Sequence, residues 1–314
     1  MKIVLGIDFG SENLTIFKKG EGVIFKEPSL LCVKKTNNNY VVLALGEGVK
    51  KIKDDDINQI IFSPLAEGVV KSVEYAGLLL KYALNKVFKV LIFKNFEASI
   101  AVPCGLGKEE TEKYIRILKL AGIPKINIIP SPLCINRSSN ATSLIIDIGT
   151  AKTDIAVIQS GEIISGATLG LGGYNIDAMI LQKLSEKHHA YFSEISAQKI
   201  KEEIGSLLPN DKGCSQLVGI DMEENNPHNY PVNTNMIYPQ IETVFAEIVK
   251  VAKSLIYELP ENLQNDLSQN SVLIVGSSAR MTGAEKYFSD KLGLKCIVPD
   301  NAEDAVALGF RYIL

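Results

Sequence analysis

The sequence predicts an α/β protein built from two related domains, and three observations carry that expectation. The chain has 314 residues, which at about 150 residues per domain corresponds to roughly two domains. The pentapeptide IDFGS at 7–11 returns as IDIGT at 146–150, one domain length later, and each copy is flanked on both sides by β-rich runs. A pentapeptide match with three identities is by itself a weak signal, but matching flanks at that spacing mark an internal repeat of a whole domain. Around the two copies, β-rich runs alternate with stretches whose apolar residues recur at helical spacing.

The elements follow in order. Residues 2–7 form a β-rich run, 8–13 a turn and 14–17 a second run, which together read as a hairpin. Residues 32–64 are mixed, with a polar turn at 37–39 and an acidic run at 54–56 that reads as a solvated loop or helix start. From 70 to 85, Val73, Ala76, Gly77, Leu80 and Leu84 suit one face of an amphipathic helix. Residues 99–103 read as a buried strand. A second helix over 108–121 ends on Gly122, with Pro124 following, a helix-stop signature. After the second hairpin a glycine cluster at 170–173 leads into a helix over 175–188, and a further helix over 196–204 stops at Gly205. Residues 206–236, with Pro209, Gly213, Gly219, Pro227 and Pro231, read as an irregular small subdomain or long loop. A long amphipathic helix over 241–259 ends at Pro260, a strand over 272–275 runs straight into Gly276, and 301–314 reads as a closing helix.

Composition narrows the function. Hydrophobic residues make up 46% and charged residues 22%, a balance that fills a core and excludes disorder as the main state. The formal net charge of -3 supplies no field to gather nucleic acid, so no direct nucleic-acid partner is expected. Five scattered cysteines without a C-x-x-C pair suit reduced cytosolic thiols better than a disulfide framework or a zinc site. No apolar run approaches a membrane span, and the apolar start before Asp8 is too short for a signal-peptide core, so the expected address is cytoplasmic. His188 and His189 are adjacent and point in different directions on a helix, which leaves no i, i+4 metal pair. The P-loop, complete dinucleotide and nucleophile-elbow motifs are missing.

The repeated hairpin has a chemistry of its own. Amides of a tight turn of Gly with Ser or Thr wrap a phosphate, and the hydroxyl adds a donor. An Asp at the strand end fixes Mg²⁺ through its water shell. Asp8 and Asp147 are therefore candidate magnesium residues, although either alone would be an ordinary turn residue. Two such turns facing each other would grip a nucleoside polyphosphate.

These residues, with further motifs along the whole chain, resemble the actin, sugar-kinase and heat-shock chaperone superfamily, and within it the MreB-like bacterial actins. The matching segments include IDFGSEN, GVIFKEPSLL at 22–31, SPLAEGVV at 63–70, AVPCG at 101–105 and IDIGTAKTDIAVI at 146–158. GLGGYNID at 170–177, AQKIKEEIGS at 197–206 and the tail from VLIVGSSARM onward continue the match. The resemblance implies duplicated actin-like, ribonuclease H-like domains in two lobes with ATP or ADP between them, and head-to-tail filaments. It places lobe I at 1–140 plus 302–314 with a small subdomain near 32–64, and lobe II at 141–301 with one near 206–240. Carried over by position, Asp8, Gly10, Ser11 and Asn13 form the first phosphate loop, and Asp147, Gly149, Thr150, Lys152 and Thr153 the second. Gly173, Lys201 and Glu202 border the ribose; Gly276, Ser277 and Ser278 border the adenine.

Several departures from the family bear on catalysis, for which the resemblance singles out Asp147 and Ser131. The water-activating carboxylate of the family is here Ser131, within Pro-Ser-Pro. A serine without a partner is a poor general base, so weak, slow ATPase activity is expected. Thr150, Ala151 and Lys152 replace two glycines and a threonine; the added Cβ atoms restrict phosphate approach, while Lys152 brings a cation. Glu12 stands where a small residue is usual, and Ser277 and Ser278 replace glycines of the adenine loop.

The segment 86–94 alternates lysines with large apolar groups. In MreB-like proteins this region lies at the membrane face, so Phe88, Leu91 and Phe93 are expected to enter lipid, with Lys86, Lys89 and Lys94 at anionic headgroups; the plainer reading is a partly buried strand or hairpin. The function implied is an ATP-dependent cytoskeletal filament at the inner membrane face, acting in cell shape or motility, with itself, the membrane surface and membrane-protein adaptors as partners. A plasmid-partitioning filament and a non-polymerising ATPase or phosphotransferase are the alternatives.

Overall fold

The computed structural model describes residues 2–37, 39–52, 56–66, 69–89, 95–136 and 141–314. The chain divides into two compact units, Met1–Arg137 with Asp304–Leu314, and Ser138–Glu303.

In the first unit β1 (Ile3–Phe9) and β2 (Asn13–Lys18) form the expected hairpin, and β3 (Gly22–Pro28) extends it. A small sheet follows, from β4 (Leu31–Lys35), β5 (Tyr40–Leu45), a 3-10 turn (Gly46–Lys51) and β6 (Gln59–Phe62). The short pair β7 (Leu65–Ala66) and β8 (Val69–Val70) leads to α1 (Val73–Phe88), then β9 (Phe96–Val102), α2 (Lys108–Ala121), β10 (Lys125–Pro130) and α3 (Ser131–Ile135). The large sheet has the order β10-β9-β1-β2-β3, and the small one β5-β4-β6. Alternating residues of β1 and β2 (Leu5, Ile7, Leu14, Ile16) are fully buried, and Leu79, Leu80, Ile117 and Leu118 of α1 and α2 belong to the same core. Each such side chain contributes about 1.5–3 kcal/mol of burial.

The first helix starts and stops later than its apolar spacing suggested. Ser72 caps it, accepting from the Tyr75 amide at 3.3 Å, and it closes on Lys89 in a left-handed conformation at φ 50°. A polar cap just before Val73 sets the start more sharply than hydrophobic periodicity can. α2 matches its expected bounds, ending at Gly122 with φ 93°, where a side chain would be strained.

The second unit repeats the plan with β11 (Ser143–Ile148), β12 (Thr153–Gln159) and β13 (Glu162–Leu169). Then come α4 (Gly173–His188), β14 (Ala190–Tyr191), α5 (Glu194–Ile204), β15 (Cys214–Asp221), β16 (Pro227–Asn233), α6 (Thr234–Tyr257) and α7 (Glu261–Ser268). β17 (Val272–Val275), α8 (Ala284–Leu292) and β18 (Cys296–Ile297) complete it. Its large sheet has the order β13-β12-β11-β17-β18, and β14-β15-β16 form a small one.

Three expectations are corrected here. Residues 206–236 are not irregular throughout, because β15 and β16 pair over seven positions from Cys214↔Asn233 to Ile220↔Pro227. Two prolines obscure that hairpin, yet β16 is an edge strand, where a missing amide is tolerated. α6 begins at Thr234 rather than 241, capped by Asn233, and carries Pro239 inside it. The tail is not one helix: α9 (Ala305–Gly309) lies between 3-10 turns and packs into the first unit. Close approach explains the break, since a Cβ on Gly309 would lie 1.9 Å from the Cys134 carbonyl oxygen, and Phe310 fills the space Gly6 leaves open.

Candidate functional site

In the first unit the parallel strands β1, β9 and β10 place Asp8, Ala101 and Ile129 in one row at the carboxyl edge of the sheet. That edge is where open α/β sheets bind ligands. Beyond Asp8 the chain turns tightly: the Gly10 amide donates to the Asn13 carbonyl at 2.9 Å, with Ser11 inside the turn. The Ser29 amide holds the Glu12 carbonyl at 2.8 Å. Ser131 opens α3 two residues beyond Ile129, so it shares this edge with Asp8, and it is buried.

The second unit repeats that turn. The Gly149 amide donates to the Lys152 carbonyl at 2.9 Å, and Asp147 occupies the place Asp8 holds in β1. Around this turn two further segments converge, 172–174 and 276–278. The Gly173 amide donates to Gly149 at 3.1 Å, the Tyr174 amide to Thr150 at 2.7 Å, and the Ser278 hydroxyl to Gly149 at 3.0 Å. A Cβ on Gly172 would lie 2.6 Å from the Gly149 carbonyl oxygen. Gly276 sits at φ 91°, and a Cβ there would lie 2.3 Å from the Ile148 carbonyl and 2.7 Å from Asp147 Oδ1. Gly149, Thr150, Gly173, Lys201, Gly276 and Ser278 are thus brought into one backbone-lined cluster; Ser277 follows Gly276 at its margin and is half-buried.

The charged groups of this cluster are tied to one another. Lys201 donates to Asp177 at 2.8 Å and to the Gly173 carbonyl at 3.2 Å. Burial pushes the Asp177 carboxyl above its ordinary value despite the pull of Lys201, and its Oδ1 has no hydrogen-bond partner among the described residues. Lys152 ion-pairs with Asp154, which is fully buried and also accepts from Thr168. Asp154 lies directly opposite Asp147 across β11 and β12, where two like charges repel, and the Lys152 ammonium offsets that repulsion. Thr153 is buried, and its hydroxyl donates to the Leu171 carbonyl at 2.7 Å. Glu202 is exposed and accepts from Gln198 at 2.9 Å.

Sequence reading missed Asp154 and Asp177, although both lie inside motifs it singled out. The signal was the second carboxylate of IDIGTAKTDIAVI, seven residues after Asp147, and the single carboxylate of GLGGYNID, four after Gly173. Phe88 falls at the end of α1, half-buried, with its ring edge-on to Phe96 at 4.9 Å. Leu91, Phe93 and Lys94 lie outside the described residues.

Chemically, each unit offers a tight turn whose amides suit an anion, beside one strand-end carboxylate. A Cβ at Gly172 or Gly276 would collide with the turn at 147–150, so these glycines let their segments close directly on that turn. Among the described residues no group of three or more acids, histidines or cysteines is arranged to hold a metal ion. A single carboxylate with water and phosphate ligands is instead the manner in which magnesium is commonly held. Among the same residues no helix is long and apolar enough to cross a membrane.

Comparison with known proteins agrees with this geometry. A family model described as MreB/Mbl protein matches residues 2–314. The cell shape-determining protein Mbl of Bacillus subtilis is 27% identical over 320 residues, covering 99% of this chain and 95% of that protein. The cell shape-determining protein MreB of Escherichia coli is 23% identical, covering 97% and 91%. Among solved structures, MreB 5 of Spiroplasma citri bound to AMPPNP superimposes with a TM-score of 0.92 at 25% identity, covering 100% of this chain and 96% of that one. A double helical filament of MamK matches with a TM-score of 0.82 at 18% identity. The fold is the duplicated actin-like one.

Proposed function

The chain belongs to the MreB/Mbl family, and from that premise we propose that it is an ATP-binding actin-like protein that assembles head to tail into filaments and acts in cell shape or motility. The observation that carries this reading is the duplicated turn, with the same 2.9 Å amide-to-carbonyl closure after Asp8 and after Asp147. A structural match that holds AMPPNP over the full length of this chain supports it. Heterologous head-to-tail contacts need not close into a ring, so they build filaments.

In this reading the turn amides at 10–13 and 149–152 hold the phosphates. Gly173, Lys201 and Glu202 lie along the ribose, and Gly276, Ser277 and Ser278 along the base. Mg²⁺, when bound near Asp8 and Asp147, offsets phosphate charge. Lys152 contributes less to the phosphates than its position in the sequence suggests, because Asp154 neutralises it. Ser131 places a hydroxyl where the family carries a carboxylate, so hydrolysis is slow and assembly responds mainly to nucleotide binding.

We also place the protein in the cytoplasm, at the inner membrane face. The packing of Phe88 on Phe96 leaves Leu91 and Phe93 as the lipid-entering groups of the 86–94 segment. Negative-stain microscopy and sedimentation with and without Mg·ATP test the proposal, with anionic liposomes in a parallel tube. Filaments that form with nucleotide and are lost in Asp147→Asn are expected, together with liposome binding that Leu91→Ser/Phe93→Ser weakens. Absence of filaments in every nucleotide state would contradict the assembly reading, and liposome binding unchanged in the double variant the membrane reading.

A further inference from the structure

The end of β3 joins two features of the first unit that the nucleotide reading leaves unconnected. Pro28 pairs with Asn13, and the Ser29 amide binds the Glu12 carbonyl at 2.8 Å, so this strand end is bonded to the turn at 10–13. The residue before Pro28 is Glu27, which is buried at 8% exposure. Its carboxylate collects donors from two other elements. Tyr82 and Lys86 of α1 reach it, the hydroxyl at 3.2 Å, and the Glu47 amide of the 3-10 turn donates at 3.1 Å. Gly46, which opens that 3-10 turn, has φ 56°, and a Cβ there would lie 2.4 Å from Glu27 Oε2. Its amide also binds the Leu30 carbonyl at 2.9 Å. The 3-10 turn closes the small sheet β5-β4-β6, so that sheet is seated on the Glu27 carboxylate.

We propose that Glu27 is a positioning residue through which occupancy of the turn at 10–13 sets the seating of the small sheet. The inference rests on the nucleotide reading given above. Pro28 restricts the backbone between Glu27 and Ser29, so a displacement of the turn is carried to the carboxylate with little loss. The seat is sensitive to such a displacement. A shift of about 1 Å takes a 3.1 Å bond from the Glu47 amide beyond hydrogen-bonding distance. Small movements at the turn are thereby converted into two arrangements, seated and unseated, the kind of bistable element on which coupling between sites depends. The buried carboxylate makes the seat specific, because it must keep its donors or carry an unpaired charge.

Hydrogen–deuterium exchange of the full chain tests this, with peptides covering residues 31–62 followed with and without AMPPNP and Mg²⁺, and binding measured separately by calorimetry. In the wild type, AMPPNP slows exchange in these peptides by about tenfold, an ordinary coupling between two sites. In Glu27→Gln, which still binds AMPPNP, the change falls below about twofold, and Tyr82→Phe retains an intermediate response. A Glu27→Gln protein that binds AMPPNP and responds like the wild type overturns the proposal, as does a wild type that binds AMPPNP without any change at 31–62. Should Glu27→Gln not fold, a full wild-type response in Tyr82→Phe overturns it equally. A wild type that does not bind AMPPNP refutes the nucleotide reading itself, and calorimetry separates that failure from the others.

Discussion

Ser131 is the residue on which the catalytic expectation turns. It stands at the carboxyl edge that Asp8 shares, buried at the start of α3, with an alcohol where the proposed function would need a base to activate water. Positioned general bases contribute about 10²–10⁴-fold in rate. Ser131→Glu is therefore expected to raise ATP turnover by at least about tenfold at neutral pH, measured by phosphate release during assembly. Turnover that stays at the wild-type level would show that another group limits hydrolysis. Lys152 makes a different point at the same scale. From its place in the turn it reads as a phosphate ligand, whereas its ammonium meets Asp154. A linear motif displays the cation but not the cross-strand position of Asp147 opposite Asp154, which creates the local need for it.

At the scale of elements, what was legible depended on how local the determining signal is. The hairpins of β1–β2 and β11–β12 and the bounds of α2 are written in short runs and a glycine stop, and they stand where the pattern put them. The β15–β16 hairpin was hidden because Pro227 and Pro231 argue against a strand, and only the sheet order reveals that β16 lies at an edge. The break in the tail is not written locally, because it follows from packing of Gly309 and Phe310 against Cys134 and Gly6, far off in sequence. For the site, both turns are visible as a repeated pentapeptide, whereas Asp154, Asp177 and Glu27 lie inside visible motifs and only their tertiary neighbours reveal what each one holds.

A seam between elements also carries a pH prediction. His188 ends α4 with its ring 5.0 Å from Tyr230 of β16, and its Nε2 is buried without a hydrogen-bond partner among the described residues. Burial, reinforced by Lys187, lowers its pKa from the ordinary 6.5. The fold thus favours the neutral ring, and the stability this confers is present above 6.5 and is lost as pH falls through the depressed folded value. Wild type should lose stability relative to His188→Gln as pH falls from about 7.5 to 5, measured by urea unfolding. A difference between the two proteins that does not vary with pH would show that the ring is not held neutral.

At the scale of the whole molecule, each unit carries one of the two repeated turns, and the proposed function has both turns bind one nucleotide. The proposed filament growth, slow hydrolysis and coupling to the small sheet all depend on it, because in that proposal each begins with phosphate held at residues 10–13 and 149–152. A crystal structure of the chain with AMPPNP and Mg²⁺ is the most direct measurement. The account predicts phosphates touched by amides of both turns, with Asp8 and Asp147 both directed at one metal ion. Nucleotide held by one unit alone, or phosphates that meet neither turn, would contradict it.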